Sequence, residues 1–424
     1  MSSGVLNMPR LSDSMEQATI VAWLKRPGES FERGEPLVEV ETDKATVVYE
    51  AEVNGVLSEV LVPEGATALL GEPIARIATD DSSRSPLAEP PRTSDRARPP
   101  GAITTTIDFR TAVREALDEE LAADDRVIFF GEDVALAGGV FAVTQGLYEK
   151  YGPERVFDTP ISELALAGAA FGAAITGLRP VVEIMFGDFL TLVMDSLVNQ
   201  STKYWFLTGE QVSVPIVMRS VVGAGGRFGA IHSQMPVSWF MGIPGLKIVA
   251  PAIPADAKGL LRSAIRDDNP VLFFEHKRLY GVTGDAHGEL VPIGVARVAR
   301  EGRDVTIVSA MNGVHESLKA ADLLAADGVD AEVIDLRTLR PLDIDTVLQS
   351  VVKTSRIVVV EEGPRTGGWA GEVLARITEE GLGDLDDAWR IATDESPVPY
   401  SPPLEDAFLP DAERIASEIK ERAS

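Results

Sequence analysis

The chain has 424 residues, too many for one hydrophobic core, and this length predicts about three domains at roughly 100–200 residues each. Hydrophobic residues make up 45% and charged residues 25%, a composition typical of globular chains rather than fibrous or disordered ones. The net charge of −27 disfavours nucleic acid and anionic lipid as partners, and the absence of cysteine excludes disulfides, thiolate metal sites and cysteine nucleophiles.

Two features of the sequence bear on its location. The N-terminal residues lead directly into the first domain pattern, without a basic-then-apolar signal or an Arg-rich transit segment. The longest nearly apolar run, residues 164–178, is rich in Ala and Gly and is shorter than a bilayer span, so it predicts a buried helix. Together with the lack of cysteine, these features predict a cytoplasmic protein with no membrane partner.

A lysine at the turn of a predicted hairpin is the most informative feature of the N-terminal region. Residues 37–40 and 46–49 alternate apolar and polar side chains, so both predict strands, and Lys44 stands in the polar turn between them. This arrangement would hold one primary amine clear of the body of the domain. A solvated lysine at an ordinary turn is the alternative that the local pattern leaves open.

The sequence on either side of Lys44 repeats itself. Gly28 and Gly34 are followed by Glu-Pro and an aliphatic residue, and Gly65 and Gly71 are followed by the same pattern. Two similar halves around one lysine predict a small, quasi-symmetric, all-β sandwich.

On these residues, the segment 1–80 resembles a lipoyl domain, whose Asp-Lys-Ala lysine carries lipoamide. The resemblance implies covalent lipoate on Lys44. A biotin carrier is the nearest alternative, but its lysine lies between methionines, whereas Asp43 and Ala45 flank this one. The glycine-cleavage carrier is a further alternative, although its lysine usually follows an apolar residue.

The composition changes in residues 81–102, which are rich in Pro and Ser and lack any apolar period. This segment predicts a flexible linker that is locally stiffened by proline, and fully extended it would reach on the order of 70 Å. Such a tether suits a carrier domain that delivers substrate. A passive spacer would have the same composition.

The remaining sequence alternates apolar strand-like runs with helical stretches, which predicts α/β domains with mostly parallel sheets. We place one domain at 103–298 and a second at 299–424, where the pattern restarts after Gly302. The predicted elements are a helix at 108–122, a buried strand at 127–130, strands at 181–185, 214–219, 271–275, 305–310, 331–335 and 356–360, and helices ending near 326 and starting at 368.

Three segments of the first α/β domain contain candidate functional residues. Ser162 and Glu163 precede the small-residue helix, where a cap and the helix dipole would explain them equally well. Phe189 follows a strand end, where α/β proteins place ligands, although plain core packing would explain it too. The glycine-rich loop 223–229 predicts mobility and leads to His232, for which helix capping is the alternative.

In this order, residues 103–424 resemble the β subunit of the thiamin-dependent decarboxylating component of 2-oxo acid dehydrogenase complexes. The motifs that carry the resemblance are DTPISE, GLRP, HSQ, PGLK, DAKGLL, RDDNP and LRTLRPLD. The resemblance implies a transketolase-like pyrimidine-binding domain followed by a transketolase C-terminal-like domain.

The resemblance also implies roles for individual residues. Glu163 would bind the aminopyrimidine N1′ of thiamin diphosphate, Phe189 would stack on that ring, and Glu132 would lie near it. His232 would face the substrate and the incoming lipoamide. The backbone carbonyls implied as ligands of a potassium ion are those of Ile216, Ala264, Ile265, Asp267 and Asn269.

No Gly-Asp-Gly, the motif by which thiamin enzymes bind the diphosphate through a metal, occurs in the chain. We therefore expect an α subunit to bring the diphosphate and magnesium ligands in an α₂β₂ assembly. The resemblance further implies a dihydrolipoyl acyltransferase core and dihydrolipoyl dehydrogenase as partners. Pyruvate is the expected substrate, with branched-chain 2-oxo acids or acetoin as alternatives, and a non-catalytic scaffold for a lipoyl carrier is the alternative from another class.

Overall fold

The computed structural model describes residues 2–8, 17–32, 34–41, 46–51, 54–69, 72–79, 105–286 and 288–423. The chain divides into two compact units, Met1–Ala97 and Arg98–Ser424. Within the described ranges, no helix is long and apolar enough to cross a membrane.

The N-terminal unit is a sandwich of two antiparallel sheets, as the sequence predicts. One sheet has the order β1-β8-β6-β3 and the other the order β5-β4-β2-β7. Apolar side chains from both sheets, among them Ile20, Val38 and Leu57, form its buried core. The strands are β1 Ser2–Asn7, β2 Gln17–Trp23, β3 Ser30–Phe31, β4 Pro36–Glu41, β5 Thr46–Glu50, β6 Gly55–Val60, β7 Thr67–Leu69 and β8 Pro73–Thr79.

The hairpin predicted around Lys44 corresponds to β4 and β5. The two strands pair in antiparallel register, with Val40 opposite Val47 and Glu41 opposite Thr46. The turn that contains Lys44 lies outside the described residues.

The larger sheet of the second unit is mostly parallel, in the order β11-β10-β12-β13-β15-β14-β20. Its last strand is antiparallel and comes from far along the chain, so the C-terminal region completes the edge of this sheet. The strands of this sheet are β10 Val127–Gly131, β11 Val156–Asp158, β12 Arg179–Phe186, β13 Val217–Val222, β14 Lys247–Val249, β15 Val271–His276 and, from the C-terminal region, β20 Thr338–Arg340. Strands β9 Thr105–Asp108 and β16 Thr283–Ala286 pair with each other in a separate two-stranded antiparallel sheet.

The smaller sheet has the order β17-β19-β18-β21-β22 and is parallel except for β17. The first strand of this sheet along the chain is β17, which begins at Arg297, shortly before the expected domain start at 299. The strands are β17 Arg297–Arg300, β18 Val305–Ser309, β19 Ala331–Asp335, β21 Arg356–Pro364 and β22 Asp387–Thr393.

Helices cover both sheets, and one continuous apolar core extends between them. The helices are α1 Phe109–Ala123, α2 Leu147–Tyr151, α3 Glu163–Ile175, α4 Thr202–Leu207, α5 Val237–Met241, α6 Pro254–Arg266, α7 Asn312–Ala326, α8 Ile344–Thr354, α9 Trp369–Gly381, α10 Pro402–Phe408 and α11 Ala412–Ala423.

The strand predicted at 214–219 is displaced toward the C-terminus. Pro215 has no amide hydrogen for a sheet, and the N–H of Ile216 bonds locally to the carbonyl of Val214 at 2.9 Å. The ladder with β12 and β15 therefore begins only at Val217.

The strand order creates a crevice between β10 and β12. The chain leaves β10 toward β11 on one side and leaves β12 toward β13 on the other side. In open α/β sheets, ligands bind outside the carboxyl ends of strands at such a switch point. The fold therefore directs attention to the residues that follow Gly131 and Phe186.

Candidate active site

Each of the main predicted site residues lies at a carboxyl end of this sheet. Glu132 directly follows β10, and Phe189 lies in the short 3₁₀ helix Gly187–Val193 that follows β12. Glu163 is the first residue of α3, which follows β11. Parallel strands end at one edge of a sheet, so residues distant in sequence meet in the crevice.

Glu132 and Glu163 form a pair of buried carboxyl groups, each with 8% of its surface exposed. Burial raises the pKa of Glu132, and the nearby charge of Glu163 raises it further, while the backbone N–H of Ser162 opposes both. One oxygen of Glu132, Oε1, is buried without a hydrogen-bond partner. A buried carboxyl with a raised pKa beside a second carboxyl suits proton exchange with a bound base.

The start of α3 does not follow the simple capping model. Ser162 occupies the N-cap position but makes no side-chain capping hydrogen bond. Its backbone N–H is directed to Glu132 instead. The helix start therefore links Glu132 to the residue before Glu163, which the capping explanation alone does not predict.

A cluster of three aromatic side chains lies at the same carboxyl edge of the sheet as these acids. The ring centroid of His232 lies 4.7 Å from that of Phe186 and 5.4 Å from that of Phe189, both nearly perpendicular. Phe186 and Phe189 are themselves 6.0 Å apart in an edge-to-face arrangement. The structure thus brings Phe189 and His232 together, and both are only half-buried, which leaves ring surface for a ligand.

Asp188 connects the strand end to the histidine segment and was missed by sequence reasoning. Its Oδ1 accepts hydrogen bonds from Gln234 Nε2 at 2.8 Å and from the Gln234 backbone N–H at 3.3 Å. Its Oδ2 is buried without a hydrogen-bond partner. A polar residue directly after a buried strand was the signal that could have identified it.

The glycine-rich loop before His232 is anchored by two acids from the C-terminal region. Glu362 Oε1 accepts from the Ala224 N–H at 2.5 Å, and Glu405 Oε1 accepts from the Gly225 N–H at 2.9 Å. Glu362 also contacts the side chain of His276, and Glu405 also binds the side chain of Arg227. The prediction of mobility from composition overlooked these anchors, because they come from residues more than a hundred positions away.

Glycine is required in this loop for close approach as well as for turning. A Cβ on Gly223, whose φ is +87°, would lie 2.2 Å from His276 Nε2. A Cβ on Gly225, whose φ is +93°, would lie 2.1 Å from Arg278 Nε. The glycines therefore let the loop pack directly onto the end of β15.

A buried ionic network lies beneath the crevice. Arg219 donates from Nε and Nη2 to the two carboxylate oxygens of Glu275, at 2.7 and 3.0 Å, and from Nη1 to Glu183 at 2.9 Å. Tyr280 adds a hydrogen bond to Glu275 at 2.8 Å. These residues come from β12, β13, β15 and the turn after β15, and the network fixes the strands that position the site.

The residues implied for potassium are brought together, but their carbonyls have other partners. Ile216 O accepts from the Val271 N–H, and Ala264 O accepts from the Asp267 N–H. The guanidinium of Arg179 donates to Ile265 O at 2.9 Å and to Asp267 O at 2.7 Å. A carbonyl has two lone pairs, so these bonds leave one acceptor direction at each oxygen for a cation.

The described ranges contain no group of three or more His, Asp or Glu side chains that could hold a metal ion.

Three family models match successive segments of the chain. Residues 105–283 match the transketolase pyrimidine-binding domain, and residues 294–415 match the transketolase C-terminal domain. Residues 4–77 match the model described as biotin-requiring enzyme.

The relatives decide the family. A pyruvate dehydrogenase E1 component subunit beta of Rhizobium meliloti (strain 1021) is 39% identical over 97% of this chain and 98% of its own length. The mitochondrial subunit beta-1 of Arabidopsis thaliana is 44% identical over 77% of this chain and 92% of its own length. The chain belongs to the family of E1 component beta subunits.

Other relatives define the range of this family. The beta subunit of an acetoin:2,6-dichlorophenolindophenol oxidoreductase of Cupriavidus necator is 44% identical over 73% of this chain and 96% of its own length. A solved split-gene transketolase, described as an inactive beta4 tetramer, shares the fold at a TM-score of 0.64 and 22% identity, over 74% of this chain and 98% of its own. The match to the Rhizobium protein includes the N-terminal unit, so this E1 beta subunit joins a lipoyl domain to the two transketolase-like domains.

Proposed function

We propose that the crevice binds the aminopyrimidine end of thiamin diphosphate and that the chain, together with an α subunit, decarboxylates pyruvate and transfers the acetyl group to lipoamide. The observation that carries this proposal is the buried pair Glu132 and Glu163 beside Phe189 and His232. The buried, unpartnered Oε1 of Glu132 supports a ligand at this point, because buried polar atoms normally have a partner.

The residues of the crevice fit this cofactor. Glu163 would hold a proton at N1′, and Glu132, whose pKa is raised by burial and by Glu163, would lie close by. The half-buried ring of Phe189 would contact the pyrimidine. Thiamin diphosphate, when bound, supplies the electron sink for loss of the carboxylate.

A partner that covers the crevice is supported by apolar side chains next to the site residues. Ile161 lies two residues before Glu163 and is 84% exposed, and Leu164 directly after it is 57% exposed. Ile231, next to His232, is 67% exposed. Exposed apolar groups beside a binding crevice mark an interaction surface. We assign this surface to an α subunit in an α₂β₂ assembly, which would also hold magnesium and the diphosphate.

The finer assignments rest on the family and the motifs. Lipoate on Lys44 would make the N-terminal unit the acyl acceptor, and the acyltransferase core and dihydrolipoyl dehydrogenase would be the next partners. Potassium would bind the carbonyls of Ile216 and residues 264–269. A cytoplasmic location remains part of this proposal.

Reconstitution with the α subunit encoded nearest to this chain tests the proposed function. We expect carbon dioxide release from pyruvate that requires both subunits, thiamin diphosphate and magnesium. Branched-chain 2-oxo acids and acetoin should be assayed in parallel, since the Cupriavidus relative makes acetoin a specific second candidate. If a branched-chain 2-oxo acid or acetoin is turned over faster than pyruvate, that compound would be the substrate instead. If none of these compounds is turned over, the result would favour the scaffold alternative.

The isolated chain provides a second test. The diphosphate motif is absent from the sequence, so calorimetry should show no tight binding of thiamin diphosphate and magnesium to this chain alone. Micromolar or tighter binding would contradict the assignment of that half-site to the partner.

A further inference from the structure

A half-buried lysine beneath His232 has no part in the function proposed above. Lys277 follows β15, a strand that leads to neither Glu132 nor Phe189. Its Nζ donates a hydrogen bond to the backbone carbonyl of His232. The contact spans two segments of the chain that only the fold brings together.

Two aromatic rings enclose the ammonium group. Lys277 Nζ lies 5.6 Å from the ring centroid of Phe186 and 5.2 Å from that of Phe228, within the range of cation–π attraction. The ring of Phe186 also packs against the imidazole of His232, with centroids 4.7 Å apart. Lys277 therefore contacts the backbone of His232 and also the ring that orients its side chain.

This placement carries an energetic cost. Burial lowers the pKa of Lys277 to about 8, although the charges of Asp188, Glu362 and Glu405 act in the opposite direction. A lysine on the surface would avoid this desolvation, because water solvates an ammonium group well. Strongly perturbed groups that line a cleft are candidates for a functional role.

We propose that Lys277 is a positioning residue that holds the His232 segment, with its imidazole against Phe186, at the mouth of the crevice. This inference rests on the proposed function of the crevice for its effect on turnover. Its structural part, the anchoring of the segment, is independent of that function.

The test compares Lys277→Met, which keeps the apolar stem but removes the donor and the charge, with Lys277→Arg, which keeps both. Lys319→Met is the matched control, because Lys319 is exposed and pairs with the neighbouring Glu316 on its own helix. Hydrogen–deuterium exchange of the full chain would follow residues 229–234. Turnover of the reconstituted complex and the melting temperature would be measured on the same preparations.

We expect the backbone amides of 229–234 to exchange about tenfold faster in Lys277→Met, the effect of losing one charge-assisted hydrogen bond. Turnover should fall by about 10–100-fold, because small displacements in an active site are costly, while the melting temperature stays the same or rises. Lys277→Arg should restore most of the slow amide exchange and most of the turnover.

Unchanged exchange at 229–234 in Lys277→Met would overturn the proposal. So would a fall in melting temperature that matches the loss of rate, since general structural support would explain both. If even the wild-type complex fails to decarboxylate any 2-oxo acid, the proposed function is wrong, and the exchange data still decide whether Lys277 anchors the segment.

Discussion

The carboxyl groups of Glu132 and Glu163 are both buried at the carboxyl edge of the large sheet, although one follows a strand and the other begins a helix. The charge of Glu163 adds to burial in raising the pKa of Glu132. Two interacting acids with different surroundings can hold different protonation states at one pH, which is the usual arrangement for acid–base chemistry.

Glu163→Gln should lower turnover of the reconstituted complex by about 10²–10⁴-fold, because the nearly isosteric amide cannot exchange a proton with a bound base. As a first-turn residue alone, Glu163 would contribute only about 0.3–1 kcal/mol to stability. Glu413→Gln, at the start of α11, is the control for a first-turn glutamate away from the crevice. Turnover of Glu163→Gln within a few-fold of wild type would make Glu163 a helix-start residue.

Lys44 should carry one lipoyl group after expression with lipoate, because the lysine stands between two repeated halves of a lipoyl-type sandwich. Intact-mass measurement should show the added group in the wild type and not in Lys44→Ala. Lys25→Ala, within the same unit, is the control and should remain modified. A lipoyl group on another lysine, or biotin in its place, would contradict the assignment.

Gly223→Ala should destabilise the second unit more than a substitution that introduces the same backbone strain in open space. Its Cβ would lie 2.2 Å from His276 Nε2, which makes a 2.8 Å contact with Glu362 Oε2. Gly146→Ala is the matched control, since its φ of +85° is similar and no atom lies within 4 Å. Urea unfolding should show about 1–2 kcal/mol lost for the control and about 1–3 kcal/mol more for Gly223→Ala. Equal losses would mean that the loop moves away freely.

Arg219→Met should cost about 3–5 kcal/mol of unfolding free energy, because it leaves Glu183 and Glu275 buried without their shared cation. Arg219→Lys keeps the charge but loses the two-point contact with Glu275. Its unfolding free energy should therefore lie between those of the wild type and Arg219→Met. Arg126→Met removes an ion pair with Asp124 from a side chain that is 59% exposed, where water screens the pair, so it should cost far less stability than Arg219→Met. A similar loss in Arg126→Met and Arg219→Met would refute the distinction.

Stability should depend on pH through Glu361, a buried acid at the end of β21. Burial raises its pKa from 4.5 to about 7, while the backbone N–H groups of Ala370 and Trp369 and the charge of Arg390 oppose the shift. Between these pH values the folded chain binds more protons than the unfolded chain, so the unfolding free energy falls as pH rises. The contribution is complete below pH 4.5 and is lost above 7, a change of about 3 kcal/mol.

Urea unfolding of the wild type and of Glu361→Gln between pH 4.5 and 8 would check this expectation. The glutamine is neutral throughout, so its advantage over the wild type should grow as pH rises. A constant difference between the two proteins would show that Glu361 keeps an ordinary pKa.

Local patterns in the sequence were sufficient for several of the longer elements. The predicted strand at 331–335 matches β19 at both ends, and the helix predicted at 108–122 differs from α1 by one residue. Periodicity and turn residues act over a few neighbours, so they are readable without the fold. The edge strand β20 was missed because it depends on a partner strand distant in sequence. The start of β13 was placed too early because the prediction overlooked Pro215, which has no amide hydrogen for the sheet.

The candidate site shows the same division. The sequence by itself determined that a carrier-type lysine and two α/β domains occur in one chain, and its motifs selected Glu163, Phe189 and His232. Only the tertiary structure decided that the charge of Glu163 acts on Glu132 and that Lys277 donates a hydrogen bond to the carbonyl of His232. It also decided that acids of the C-terminal region anchor the glycine loop. The physical reason is that charge, burial and hydrogen bonding act through space over a few ångströms, whereas a sequence pattern records only the order of residues along the chain.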